Sequence, residues 1–229
     1  MVEDLADLDR LLATPDAPRA WVLKAPLSAA GRDRHVERNG PALTGPAGRR
    51  AVAGLFARAG SLLFEPWRDR TADFGCSVLL DPDGTFEVVS FHAQAVDRRG
   101  QFAGIELTGR FQGFAGLTPE EEDRMRTAIE GTASALAGAG YRGPFGIDAW
   151  RYRTAEGETA FHPLGEINAR MTFGLVARTL VDRLAPSLGL APEDRVRFAF
   201  GRTLPEDGIP LVTPGRYSGL AVGLHRPPG

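Results

Sequence analysis

Apolar residues recur along the chain in two rhythms, one helical and one extended. Leu5, Leu8, Leu11 and Leu12 fall at helical spacing and predict a short amphipathic helix, ended by the stretch from Pro15 to Pro18. Residues 20–25 form a compact apolar strand interrupted by Lys24. Residues 26–48 are polar and rich in Gly, Pro and Arg, which predicts loops with at most a weak hairpin around Asn39-Gly40. A helix over 48–59 and a strand over 61–67 follow. Three extended segments, 74–80, 85–95 and 102–108, are separated by Asp81-Pro82-Asp83-Gly84 and Asp97-Arg98-Arg99-Gly100, so an antiparallel meander is expected. Thr118-Pro119-Glu120-Glu121 carries an N-cap, a first-turn Pro and acids at the positive helix end, and opens a helix running to about Gly138. Strands over 145–153 and 158–168 flank a tight turn at Ala155-Glu156-Gly157. A helix over 174–184 and short strands around 196–200 and 217–224 complete the chain. Strands outnumber helices and come in consecutive runs, so the expected fold is α+β with mainly antiparallel sheets.

Composition narrows the class. In 229 residues, 43% are hydrophobic and 24% charged, the balance of a folded globular chain. A formal net charge of -2 gives no strong field for nucleic acid or an anionic membrane. No apolar run approaches the roughly 18 residues of a membrane helix, and the acidic start Met1-Val2-Glu3-Asp4 does not resemble a signal peptide. Cys76 is the only cysteine, which excludes an intramolecular disulfide, and its alternating apolar surroundings place it in the core. A cytoplasmic protein without nucleic-acid or membrane partners is expected. Lys24 is the only lysine beside 26 arginines, and Asn39 and Asn168 are the only asparagines. Ammonium and guanidinium are not interchangeable, so a single retained lysine marks a candidate site.

Glu166 and Asn168 stand two apart near the end of a predicted strand, so they share one face while Ile167 turns to the other. Together they offer three side-chain oxygens, a donor set suited to a hard cation such as Mg2+. Asp148, on the preceding strand, could sit opposite them. The alternative is that Asp148 and Glu166 are solvated charges or pair with Arg151 and Arg170. Lys24 runs into Ser28-Ala29-Ala30-Gly31-Arg32, a small-residue loop whose N-H groups, hydroxyl and cations could hold phosphate oxygens. Neither a Walker pattern nor G-x-G-x-x-G is present. The four histidines, 35, 92, 162 and 225, and Cys76 show no metal or triad spacing, although His162 lies close enough to the acidic strand to reach a substrate.

In this order the segments resemble the ATP-grasp family. Trp21-Val22-Leu23-Lys24-Ala25-Pro26 and the 28–32 loop look like its lysine strand and the loop that closes over the triphosphate. Phe64-Glu65-Pro66-Trp67 looks like the hinge that holds adenine, with Asp73 near the acid the family puts on the ribose. Gly146-Ile147-Asp148 and Gly165-Glu166-Ile167-Asn168-Ala169-Arg170 resemble its two metal-binding strands. The resemblance covers about residues 20 to 185 and implies two α+β subdomains: a lead-in over 1–19, a lysine-strand unit over 20–66 and a metal-binding unit over 67–229. It implies ATP and Mg2+ (or Mn2+) as cofactors, and activation of a small carboxylate as an acyl phosphate that an amine or thiol attacks. Lys24 and Arg170 would be catalytic; Lys24, Ser28, Gly31, Arg32, Glu65, Pro66, Trp67 and Asp73 would hold the nucleotide; Asp148, Glu166 and Asn168 would hold the metal. Family members usually carry a substrate domain ahead of the lysine strand, where this sequence has about 20 residues. A partner chain or a second copy completing the site is therefore expected, and a module that binds nucleotide without turnover is the alternative to an enzyme.

Overall fold

A computed structural model describes residues 1–26, 33–38, 40, 42, 43, 45–96, 102–201, 208–213 and 221–226. The chain divides into two compact units, Met1–Asp69 and Arg70–Gly229.

The first unit holds helix α1 (Leu5–Leu12), strands β1 (Trp21–Lys24) and β2 (Arg34–Glu37), helix α2 (Gly45–Ala59) and strand β3 (Leu63–Pro66). Asp4 caps α1, accepting from the Asp7 N-H at 2.8 Å. Leu8 and Leu12 turn the helix's apolar stripe into a core shared with Val2, Trp21, Leu23, Val52, Leu55 and Leu62. The three strands pair antiparallel in the order β2-β1-β3. Strand β2 corrects the expectation of loops across this region. Its sequence, Arg-His-Val-Glu, lacks the apolar alternation of a central strand, but an edge strand needs only one paired side and tolerates charge. Asn39, on which the weak hairpin was centred, lies outside the described residues.

The second unit holds β4 (Asp69–Leu80), β5 (Phe86–Val96), β6 (Phe102–Thr108), α3 (Pro119–Gly138), β7 (Gly143–Arg153), β8 (Thr159–Asn168), α4 (Phe173–Leu188), β9 (Arg195–Gly201), β10 (Ile209–Val212) and β11 (Ala221–His225). One sheet runs β10-β11-β9-β6-β5-β4-β7-β8. Thr118 and Glu121 form the capping box of α3, whose Met125, Ile129 and Ala133 recur on one face. That face packs on Phe74, Cys76, Val78, Phe91, Phe145, Ile147 and Phe161 of the sheet. Helix α4 covers the sheet's other face over Ile105, Leu107, Val196, Phe198 and Leu224.

Helix α4 runs beyond the expected end at 184 and accommodates Pro186 at the loss of one N-H bond; Gly189, at φ 59°, then closes it in the left-handed conformation. Strand β10 was not anticipated. It is an outer strand of the sheet, the position that admits Pro210. Of the strand expected over 217–224, only its end at Ala221 and beyond lies within the described residues. Among the described residues no helix is long and apolar enough to cross a membrane.

Candidate active site

The pleat of the second unit's sheet decides what is displayed. On β5, Phe91 points to the α3 side, so Ser90, His92 and Gln94 point to the opposite face. On β7, Ile147 and Ala149 join the α3 core and Asp148 turns the other way. Strand β8 pairs Asp148 with Glu166 and Gly146 with Asn168, which puts both on the Asp148 face, while Ile167 pairs with Ile147. Over β6 and β9 this face is apolar and covered by α4. Over β8, β7, β4 and β5 it displays a polar floor of Asn168, Glu166, Asp148, Asp73 and Gln94.

Three of these side chains, Gln94, Asp148 and Asn168, bond to one another. The Gln94 Nε2 donates to Asp148 Oδ1 at 2.7 Å, and Asn168 Nδ2 donates to Asp148 Oδ2 at 3.3 Å. Arg170 Nη2 donates to Asn168 Oδ1 at 2.8 Å. Burial holds the Asp148 carboxyl above its ordinary acidity range; the Gln94 bond opposes this, and the negative charge of Glu166 adds to it. The negative charges of Asp148 and Glu166 face each other across the strand pair, eased by the charge of Arg70 on Asp148, and a divalent cation would relieve the repulsion further. A half-turn of the Asn168 amide would offer its oxygen in place of its nitrogen. The donor chemistry therefore fits a hard cation held by Asp148, Glu166 and Asn168. Among the described residues no group of three His, Cys, Asp or Glu is placed to hold a metal, so an amide is needed to complete a three-residue set.

The alternative of local ion pairs is not what the two arginines do. Arg151 lies on the α3 side, where its Nε donates to Glu121 Oε1 at 2.7 Å and its guanidinium faces the Phe74 ring. Arg170 takes the Asn168 amide. Asp73 is bound at 2.9 Å by Arg70, whose guanidinium lies 3.7 Å over the Trp150 ring. Trp150 packs into the space left by Gly165, where a Cβ would overlap its ring, and the His162 ring lies 4.7 Å away between centroids.

In the first unit, Lys24 Nζ donates to Glu65 Oε2 at 2.5 Å. Pro66 ends β3 opposite Trp21, and the Trp67 N-H donates to Ala20 O at 2.8 Å, with Arg34 and Arg38 over its ring. Ser28, Gly31 and Arg32 lie outside the described residues. Structure thus brings Asp148, Glu166, Asn168 and Arg170 together in one unit and Lys24 and Glu65 in the other.

Sequence reading missed Gln94 and Arg70. For Gln94 a signal existed: Ser90, His92 and Gln94 alternate with Phe91 and Ala93, the pattern of a strand with one polar face. Arg70 had none among so many arginines.

No protein-family model and no curated protein matches the sequence. Solved structures do. The biotin carboxylase domain of 2-oxoglutarate carboxylase from Hydrogenobacter thermophilus, crystallised with MgADP and bicarbonate, aligns at 15% identity with a TM-score of 0.61, over 98% of this chain and 56% of that one. N5-carboxyaminoimidazole ribonucleotide synthetase from Thermus thermophilus aligns at 16% identity and 0.60, over 100% and 62%. D-alanyl-alanine synthetase A from Vibrio cholerae aligns at 13% and 0.50, over 76% and 48%. The chain therefore spans about half to three-fifths of the length of these structures. At such identities the likeness establishes the fold.

Proposed function

Because the chain has the ATP-grasp fold, α+β with mainly antiparallel sheets, we propose that it is an ATP-dependent ligase that activates a small carboxylate as an acyl phosphate for attack by an amine or thiol. The observation that carries this reading is the polar floor of the second unit, where Asp148, Asn168, Gln94 and Arg170 are bonded into one cluster and Glu166 stands opposite Asp148 on the neighbouring strand.

The chemistry asks the protein for position and charge. A carboxylate oxygen attacks the γ-phosphorus of ATP and the bond to the bridging oxygen breaks, ADP leaving with the electron pair. The amine or thiol then attacks the acyl carbon; inorganic phosphate departs and the nucleophile's proton passes to solvent. Mg2+ (or Mn2+) held by Asp148, Glu166 and Asn168 would supply the positive charge that the phosphate oxygens need. Gln94 fixes the Asp148 carboxylate, and Arg170, released from Asn168 when that amide turns its oxygen to the metal, offers its donors to phosphate. Lys24 and Arg170 would neutralise phosphate oxygens, and Ser28, Gly31 and Arg32, which lie outside the described residues, are the further candidates for them. Glu65, Pro66 and Trp67 take the adenine and Asp73 the ribose. No protein nucleophile is required.

ATP consumption measured against a panel of carboxylates, with hydroxylamine trapping of the acyl phosphate, tests the reaction. MgADP binding to a Glu166→Ala, Asn168→Ala double variant tests the site: affinity equal to the unaltered chain would sink the metal assignment. A second reading, a nucleotide-binding or interaction module that turns over only with a partner chain or a second copy, draws on the partial coverage of the matched structures. It calls for ATP binding without turnover until that partner is added.

A further inference from the structure

Two of the large apolar side chains that the second unit leaves exposed, Phe102 and Phe173, meet in one place, with the half-buried Phe200 between them and the core. Phe102 opens β6, Phe173 opens α4 and Phe200 lies near the end of β9, and the three rings meet. Phe102 and Phe173 are nearly parallel, 11° apart with centroids at 5.8 Å, and Phe200 meets them at 5.4 and 4.8 Å. Phe198, buried beneath α4, braces Phe200 edge-on at 5.1 Å. Yet Phe102 is 39% exposed and Phe173 53%. Single exposed apolar residues are ordinary; three rings from three elements, held by a fourth in the core, make a preformed apolar surface.

Its place in the chain matters as much as its composition. Phe173 follows Arg170 by three residues, and Met171 between them is also exposed. The turn is tied down by Thr172, whose hydroxyl bonds Ser77 Oγ at 2.8 Å and caps α4. One tied-down turn thus leads from Arg170, held on Asn168 at the end of the polar floor, to Phe173 of the aromatic shelf.

We propose that this shelf seats a ring-sized apolar group of the carboxylate substrate, so that the ligase acts on aryl- or alkyl-substituted acids. The inference rests on the function proposed above. An amphiphilic anion uses both features, its carboxylate toward Arg170 and its apolar end on Phe102, Phe173 and Phe200. A small hydrophilic acid would leave the shelf unused, and an apolar protein surface would leave the adjoining cation unmatched.

Calorimetric titration with 3-phenylpropanoate and with propanoate, each with and without MgADP, tests the shelf. The aryl acid is expected to bind about tenfold more tightly, the contribution of a favourable ring contact. Phe173→Ala, at a largely exposed position, should cut that ratio to about two- or threefold with the propanoate affinity unchanged, and Phe102→Ala should act in the same direction. MgADP affinity should be the same in all three proteins. Equal affinity for the two acids, or no detectable binding of 3-phenylpropanoate, overturns the shelf. So does a concentration-dependent dimer that Phe173→Ala converts to monomer, because a second copy would then cover the rings. A chain that selects the aryl acid but never binds MgADP refutes the nucleotide reading and leaves the shelf standing; the converse refutes the shelf alone.

Discussion

Protonating His92 should destabilise the second unit beneath the very turn that carries Arg170 toward α4. The ring is 6% exposed and wedged between Gly75 of β4 and Gly174 of α4, where a Cβ at either position would collide with it. Its Nδ1 bonds Ser90 Oγ at 3.2 Å. Burial pushes its pKa down from 6.5 to about 4. The unfolded chain therefore binds the proton more readily than the folded one, so the stability contributed by the neutral ring is full above pH 6.5, falls as the pH drops toward 4 and is constant below that. At 1.36 kcal/mol per unit the whole window corresponds to about 3 kcal/mol, and the interval from pH 7.5 to 4.5 to about 2.5 kcal/mol. Carboxylates titrate in the same range, so the informative quantity is a difference from His92→Phe, which keeps a ring and cannot ionise. Losing the Ser90 bond should cost that variant about 1–2 kcal/mol at pH 7.5. In urea unfolding followed by circular dichroism, its deficit should shrink by about 2.5 kcal/mol at pH 4.5 and turn into an advantage. A deficit equal at the two pH values would refute the reasoning, since it would mean that His92 is not buried in its neutral form.

Other expectations concern single sites. Asp148→Asn removes a carboxylate whose burial and neighbouring Glu166 oppose its charge, so without metal its melting temperature should rise, while Mg2+-dependent ADP binding should fall at least about tenfold by calorimetry. Lys24→Ala should weaken MgADP binding by about tenfold or more, and Glu65→Gln, which releases the ammonium, should strengthen it by about two- to threefold at low salt and not at high salt. Gly174→Ala places a methyl 2.7 Å from Ser77 Oγ and against the His92 ring, and should cost about 1–3 kcal/mol in urea unfolding.

The acidic pair was legible in the sequence, but its register was not. From the tight turn, Arg153 pairs with Thr159 and Trp150 with His162, and continuing that count would set Asp148 opposite Leu164. The observed partner is Glu166, because β8 carries extra residues between His162 and Glu166. A slip of one residue would have turned Glu166 and Asn168 into the α3 core, whereas a slip of two preserves the face. This is why the spacing of Glu166 and Asn168 identified the correct face although nothing in the sequence located the bulge. Arg70 was beyond reach for another reason: its significance comes from Trp150 and Asp73, and a contact between strands leaves no mark on the residues around an arginine.

The lone lysine shows the same limit in the first unit. Sequence reading treats Lys24 and Glu65 separately, one on phosphate and one on adenine. Antiparallel pairing sets Val22 opposite Glu65 and Lys24 opposite Leu63, which makes Lys24 and Glu65 diagonal neighbours on one face. Long side chains reach across that diagonal, and the ammonium finds the carboxylate. Both groups remain partly exposed, so the pair is weakly held and salt can screen it. A polyphosphate presents several negative oxygens where Glu65 offers one charge, so it can draw the ammonium away with little opposing energy. Under the proposed function the pair would act as a placeholder, keeping the only lysine on the strand face without burying a charge that nucleotide binding would have to recover.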